Sequence, residues 1–512
     1  MLASGSEKEP PKMGFEKSNM RKRRRLWLTI IQLIVGIKFI GAGTLLYFKF
    51  EDVYEMMLRK GLEINPTSKA FNVWKKNDPP LIMNVYLFNW TNPEDLRVPG
   101  TKPILQEIGP YRFKEVKEKT NISFDDVSHT VSYRHRKSYY FDAENSDRNL
   151  SDVITTLNPV PLTAAFKSRN AGYFRKLGLS ALLSQTHPEG VHITKTAGEI
   201  LFDGYEDSLL SAISYMPFME TAPERFGLFY GKNGTIGSDG SFVMSTANDE
   251  TFGRLLSWNN GTSSNFYEGE CNSVKGSAGE FYPLNRKRDS IQFYSSELCK
   301  FATLEYEHDV DIKGVHGYKY TAKHIFDNGT TREDNSCFCI GECIPSGVLN
   351  VSSCRGNSPS FLSFPHFYGA DRYYTDAVEG LDPDNPKHEF YITMEPKSGI
   401  IMDLSAKMQL NFLLQPDDVI SLYKNVPKIF MPFFYFDQDV RLKDELAENL
   451  RLIQNLPDYS LYLSFILISL GILMVIWAIC SMFYCRHTKL QSNTQCHAGE
   501  EVPLQNRIKQ IS

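Results

Sequence analysis

The sequence lacks the signatures by which most enzymes are recognised. It has no G-x-S-x-G elbow, no H-E-x-x-H pair and no G-x-G-x-x-G loop, which removes elbow-type hydrolases, zincins and dinucleotide-binding folds from consideration. Gly227-Leu-Phe-Tyr-Gly231-Lys232 is one residue short of a phosphate loop and sets aromatic rings where amides must approach phosphate, so it reads as a strand ending in a turn. There is no C-x2-C pair, and His324 and His366 stand at no ligand spacing from the cysteines, which excludes a zinc ribbon and a thioredoxin-like redox site. Asp382, Asp384, Asp417 and Asp418 flank or follow prolines, where turn chemistry accounts for them without calcium. Neither charge sign is in excess (56 Lys and Arg against 60 Asp and Glu), so nothing draws the chain to nucleic acid. These absences argue against an enzyme, a metal site and a cofactor. No period of twenty to fifty residues repeats and no low-complexity linker divides the 512 residues, which predicts one large domain with appendages.

What the chain does have is two long apolar runs. Leu26–Phe48 and Leu461–Tyr484 are each long enough, at about 1.5 Å per residue, to cross a hydrocarbon layer of about 30 Å. Arg21, Lys22, Arg23, Arg24 and Arg25 precede the first run, and Arg486 and Lys489 follow the second, so both ends are read as cytosolic. The expected division is a cytosolic tail 1–25, a span 26–48, an exterior or lumenal body 49–460, a span 461–484 and a cytosolic tail 485–512. Lys38 is the one ionisable group within a span, and its stem is expected to snorkel toward the headgroups. Neither span carries a G-x-x-x-G, so no oligomer contact is specified, though an oligomer is compatible with the reading.

Seven glycosylation sequons begin at Asn89, Asn121, Asn149, Asn233, Asn260, Asn328 and Asn350, all inside the segment that charge topology places in the lumen. Six of the nine cysteines (Cys271, Cys299, Cys337, Cys339, Cys343, Cys354) lie there too, an even number in an oxidising compartment, and three disulfides are the default expectation. Cys339 and Cys343 are close enough to close a small loop over Gly341; the spacing does not fix the other partners. Cys480 and Cys485 sit at the cytosolic end of the second span, where palmitoylation is common, although Cys480 also suits a small apolar position in the helix.

Within the body the strand signal dominates. Leu81–Phe88, Thr130–Tyr133, Gly227–Tyr230, Glu389–Met394 and Met408–Leu414 are short, aromatic or β-branched, and bounded by turn residues. Helical signals are fewer and cluster at about 150–215, in Pro161–Ser184, where Gly172 and Gly178 weaken the pattern, and in Ala197–Tyr215. The expected class is mainly β, antiparallel, with a helical insertion.

Several stretches together, "GLFYGKNGT", "SIQFYSSELCKFATLEYEHDVDIKGVHGYKY", "CFCIGECIPSGVLNVSSC", "LSFPHFYGADRYY" and "EGLDPDNPKHEFYITMEPKSGIIM", resemble the class B scavenger receptor family, which includes the fatty acid translocase and the lysosomal integral membrane proteins. The resemblance runs from the first span to the second. It implies an antiparallel β-barrel-like ectodomain with an internal apolar tunnel, capped by an apical helical bundle, and pairings Cys271–Cys337, Cys299–Cys354 and Cys339–Cys343. It also implies binding of lipids (fatty acids, sterols or carotenoid-like molecules), lipoproteins or anionic particles at the apex, with transfer through the tunnel to the membrane. A sorting receptor for a lumenal protein, with a part in lysosomal lipid export, is the alternative. The apex maps to Phe166, Lys167, Arg169, Phe174, Arg175, Lys176 and Leu177, where charge steers arrival and apolar area retains a chain. The lysine-rich loop of some members is replaced by Ser184-Gln-Thr-His-Pro-Glu-Gly190. Glu500-Glu-Val-Pro-Leu504-Gln505 is similar to the acidic dileucine signal of the lysosomal branch, with Gln505 in place of its last residue. Plasma-membrane residence with endocytic cycling is expected, with the lysosomal membrane as the alternative.

Overall fold

The computed structural model describes residues 13–77, 80–214 and 224–497, and these form two units, one on either side of the breaks near Met57 and Leu452. The first unit is built on two long helices, Met13–Leu62 and Asp444–His497. Within them Arg23–Leu62 and Asp444–Tyr484 are long and apolar enough to cross a membrane, with mean hydropathy of 1.8 and 2.7 over their most apolar windows. The helices touch through small residues. A Cβ added at Gly36 would stand 3.0 Å from the Gly471 carbonyl oxygen, and one at Gly43 would stand 2.8 Å from that of Ser464. Gly36 and Gly43 on one helix, and Ser464 and Gly471 on the other, are each a heptad apart, so the close approach recurs along a left-handed seam. Tyr54 then donates to the Ile453 carbonyl at 3.0 Å, while Lys38 is exposed.

The second unit, Leu58–Arg451, is organised by a sheet of thirteen strands among the described residues. Its path runs Ser290–Ser295, Lys300–Ile312, Val315–Thr321, Tyr391–Met394, Ile401–Leu414, Ile429–Arg441, Leu81–Trp90, Leu105–Asp125, Thr130–Phe141, Ile236–Ser245, Leu255–Trp258, every neighbour antiparallel. The short strands Leu349–Asn350 and Ser360–Ser363 branch from Ile401–Leu414. The two ends of this path nearly meet. Ser277 bridges Arg254 beside one end strand and Phe293 within the other, donating to the Gln292 carbonyl at 2.7 Å and accepting from the Tyr294 amide at 2.9 Å. The segment Gly276–Ala278, centred on Ser277, thus links the two end strands and makes the sheet a nearly closed barrel.

The expected strands Leu81–Phe88, Thr130–Tyr133 and Met408–Leu414 fall inside observed ones, and Glu389–Met394 is a strand from Tyr391 onward. Gly227–Tyr230 is not a strand. The chain leaves the two-residue strand Arg225–Phe226 and gives its next amides, Leu228 and Phe229, to the carbonyls of Ile200 and Leu201 at 3.0 and 2.8 Å, so a helical turn takes the hydrogen bonds a sheet would have had. The helical runs are shorter than their periodicity implied. Gly172, extended at φ −63° and ψ 157°, separates Pro159–Lys167 from Tyr173–Thr186; Gly204 at φ +68° separates the π-type turn Glu199–Asp203 from Ser208–Ser214.

Alternation along Leu81–Trp90 buries Met83, Val85 and Leu87 on one face. Ile429–Tyr435 is buried at every position, because the helical cluster covers its other face: Leu162, Leu183, Ile200 and Leu209 share one core with Met431, Phe433 and Phe434. Disulfides join Cys271 to Cys337, Cys299 to Cys354 and Cys339 to Cys343, with Cα separations of 5.6, 6.4 and 5.3 Å.

Candidate functional site: an exposed face on the helical cluster

Asn158 begins the cluster. Its side-chain oxygen accepts from the Val160 amide at 3.1 Å, and Pro159 and Pro161 occupy the first turn, where a missing N–H costs nothing. The same side chain reaches Asp207, which caps Ser208–Ser214 by accepting from the Leu209 amide at 2.8 Å. Asp207 Oδ2 also lies 3.0 Å from Nε2 of His187, the residue closing the helix Tyr173–Thr186. One buried carboxylate therefore ties together the ends of three helices, and Tyr205 adds its hydroxyl to Asn158 at 3.3 Å. Burial alone would raise the Asp207 carboxyl, but the hydrogen bonds of His187, Asn158 and the Leu209 amide outweigh it and hold the group below the usual carboxylate range.

Helical spacing divides Tyr173–Thr186 into two faces. On the inner face Lys176 pairs with Asp417 at 2.7 Å, Ser180 accepts from the Ser421 amide at 2.9 Å and Leu183 is buried. On the outer face Phe174 is 86% exposed, Tyr173 61% and Leu177 46%, with exposed Arg175 beside them. Three large apolar side chains are thus left in water on a helix fixed from behind.

The seven apex residues do not act alike. Phe174, Arg175 and Leu177 share the exposed helix, and Lys167 is exposed at the end of the preceding one. Phe166 is half-buried, and the Arg169 guanidinium lies 4.1 Å from its ring centre while donating to its carbonyl, so that cation is partly spent locally. Lys176 is neutralised by Asp417. No local pattern could announce that pairing, because the partners are 241 positions apart. Tyr173, Asn158, His187 and Asp207 escaped sequence reasoning too; the Asn-Pro start at Asn158 was the one available signal, as a helix cap.

Among the sequons, Asn121, Asn149, Asn233 and Asn260 are exposed. Asn233 uses both ends of its amide on the Tyr139 backbone, at 2.9 and 3.2 Å. Asn89 accepts from the Thr155 amide at 2.9 Å, Asn350 is half-buried, and Asn328 is buried with its Nδ2 on the Ile344 carbonyl at 2.9 Å. Cys480 is a free, exposed cysteine and Cys485 lies on the same helix; Glu500 and Leu504 fall outside the described residues.

The model of the CD36 family matches residues 34–482, from within the first helix to the end of the second span. The chain belongs to the CD36 family. It is 35% identical to "Protein peste" of Drosophila melanogaster over 464 residues, covering 90% of this chain and 83% of that protein. It is 30% identical to human "Lysosome membrane protein 2", covering 88% and 94%, and 31% identical to bovine "Scavenger receptor class B member 1", covering 90% and 89%. All three are class B scavenger receptor relatives, and the chain is a scavenger-receptor-like membrane protein with two candidate spans.

Proposed function

We propose that the protein captures lipid or lipoprotein ligands on the face formed by Tyr173, Phe174 and Leu177 and passes lipid through the interior of the ectodomain to the membrane. The observation that carries this reading is the exposure of Phe174 and Leu177 on a helix held from behind by the Lys176–Asp417 pair and the Ser180–Ser421 bond. Covering a Phe or Leu side chain is worth about 1.5–3 kcal/mol each, enough to retain a sparingly soluble ligand, and Arg175 and Lys167 favour an anionic head. A dry conduit then saves each methylene about 0.8 kcal/mol of exposure to water, so transfer needs no energy source.

The test is uptake of labelled lipid by cells expressing the full chain. Phe174→Asp is expected to lower uptake at least tenfold at unchanged surface abundance, whereas Val127→Asp, at a residue 95% exposed on a distant turn, leaves it unchanged. Equal uptake by Phe174→Asp and the parent removes the proposal. The second reading is a lysosomal receptor that sorts a lumenal protein, for which the same face supplies helix anchors three residues apart. Leu504→Ala would then shift the protein from lysosome to plasma membrane. Under either reading glycans are proposed at the sequons, foremost exposed Asn121, Asn149 and Asn260, and palmitate at Cys480 and Cys485.

A further inference from the structure

Away from the helical cluster, a cleft of about 350 Å³ opens where the strands Thr130–Phe141 and Ile236–Ser245 meet the turns at Lys232 and Ser296 and the Cys299–Cys354 bridge. Its charges do not balance. Lys137 Nζ lies 3.1 Å from both Asp239 Oδ2 and Glu297 Oε1, and Arg355 Nη2 lies 3.0 Å from Glu297 Oε2. Asp239 also meets His135 Nδ1 at 2.9 Å, but burial, then Lys117, pushes that imidazole down to about 4, so it is neutral at physiological pH. The two carboxylates are thus shared between Lys137 and Arg355. The third cation lining the cleft, Lys232, comes from an exposed turn and, among the described residues, donates to the Leu228 carbonyl at 3.3 Å and to no carboxylate. Three cations face two carboxylates. Burial lowers the Lys232 ammonium most; the nearby charges of Arg355 and Lys137 lower it further, and Glu297, already shared by those two cations, offsets them only in part.

Part of the wall is aromatic. Tyr139 and Phe229 pack with ring centres 5.4 Å apart, and Trp258 lines the same space with its indole N–H fixed on the Asp239 carbonyl at 2.8 Å. A void of this size, mostly polar but with three rings and converging cationic donors, has room and partners for a small molecule. A dianion would overshoot the single excess charge, and a bare inorganic ion would leave the ring faces unused.

We propose that this cleft binds a small organic monoanion, a carboxylate or sulfonate on an aromatic or alicyclic body, with the anionic head on Lys232 and Arg355 and the body against Trp258, Tyr139 and Phe229. The site is independent of the exposed helix face, so either can fail without the other.

The probe is naphthalene-2-sulfonate, measured by equilibrium dialysis against the full-length protein in nanodiscs, with inorganic sulfate and neutral naphthalene-2-sulfonamide in parallel arms. Naphthalene-2-sulfonate should bind saturably, and Lys232→Gln should weaken it about tenfold or more, as expected for losing one charge-assisted contact, while Lys232→Arg keeps affinity within about threefold. Lys232 stands on an exposed turn, so these variants fold as the parent does, and an unchanged thermal midpoint checks this. No saturable binding, equal binding by Lys232→Gln, or equal binding of the neutral amide overturns the proposal. Sulfate binding as tightly as the naphthalene compound overturns the organic part and leaves an inorganic anion site.

Discussion

Asp207 shows how far one side chain can govern a surface it never reaches. Its two oxygens serve Leu209, Asn158 and His187, and thereby the helices that present Phe174 and Leu177. Replacing it by Ala leaves His187 and Asn158 without their buried partner and uncaps Ser208–Ser214, at an expected cost of about 3 kcal/mol. Because the carboxyl is lowered in the folded protein, its contribution is complete above the ordinary carboxylate pKa, about 4, and drains away as pH falls through the lower folded value. The clamp therefore persists at mildly acidic pH. Thermal midpoints recorded from pH 7 to pH 3 are expected to show the parent losing stability below about pH 4 more steeply than Asp207→Ala. Parallel curves would mean that the clamp carries no such load.

At the scale of elements, the two long helices illustrate a contact that depends on what is missing from the side chains. Gly43→Leu and Gly471→Leu would push a side chain into backbone 2.8 and 2.6 Å away, whereas Gly41→Leu meets nothing within 4 Å. The first two are expected to cost about 1–3 kcal/mol in detergent unfolding titrations and the third close to nothing, and equal effects at all three would refute the packed seam. The spans themselves were plain in the sequence, since length and hydropathy are local properties. Their seam was not, because a search for glycines four apart misses small residues seven apart on antiparallel helices. The same division holds in the body. Strands such as Leu81–Phe88 declare themselves by alternation, but Gly227–Tyr230 has equally strand-like residues and loses its hydrogen bonds to the turn at Ile200 and Leu201. In the candidate site the exposed aromatics and cations were visible as residue types. Which of them remain free was not, since Asp417 removes Lys176 from a distance no local pattern records.

For the whole molecule, the decisive contact is the smallest. Eleven strands follow one another by antiparallel pairing, yet the end strands Ser290–Ser295 and Leu255–Trp258 do not pair with each other; Ser277 stands between them. An open sheet of this length would leave two edges of unpaired amides and carbonyls, and any conduit through the interior requires a wall without a gap. Ser277→Pro removes the amide that binds the Gln292 carbonyl and the hydroxyl that donates to the Phe281 carbonyl at 2.6 Å; Ser277→Ala removes only the second. The proline variant is expected to cost about 3 kcal/mol or more and to speed hydrogen exchange at the amides of Leu255 and Tyr294, which bond to Gly276 and Ser277, while the alanine variant leaves both slow. Since those amides lie on opposite end strands, their joint acceleration reports the seam itself. Exchange unchanged by proline would show that the barrel wall does not depend on this residue.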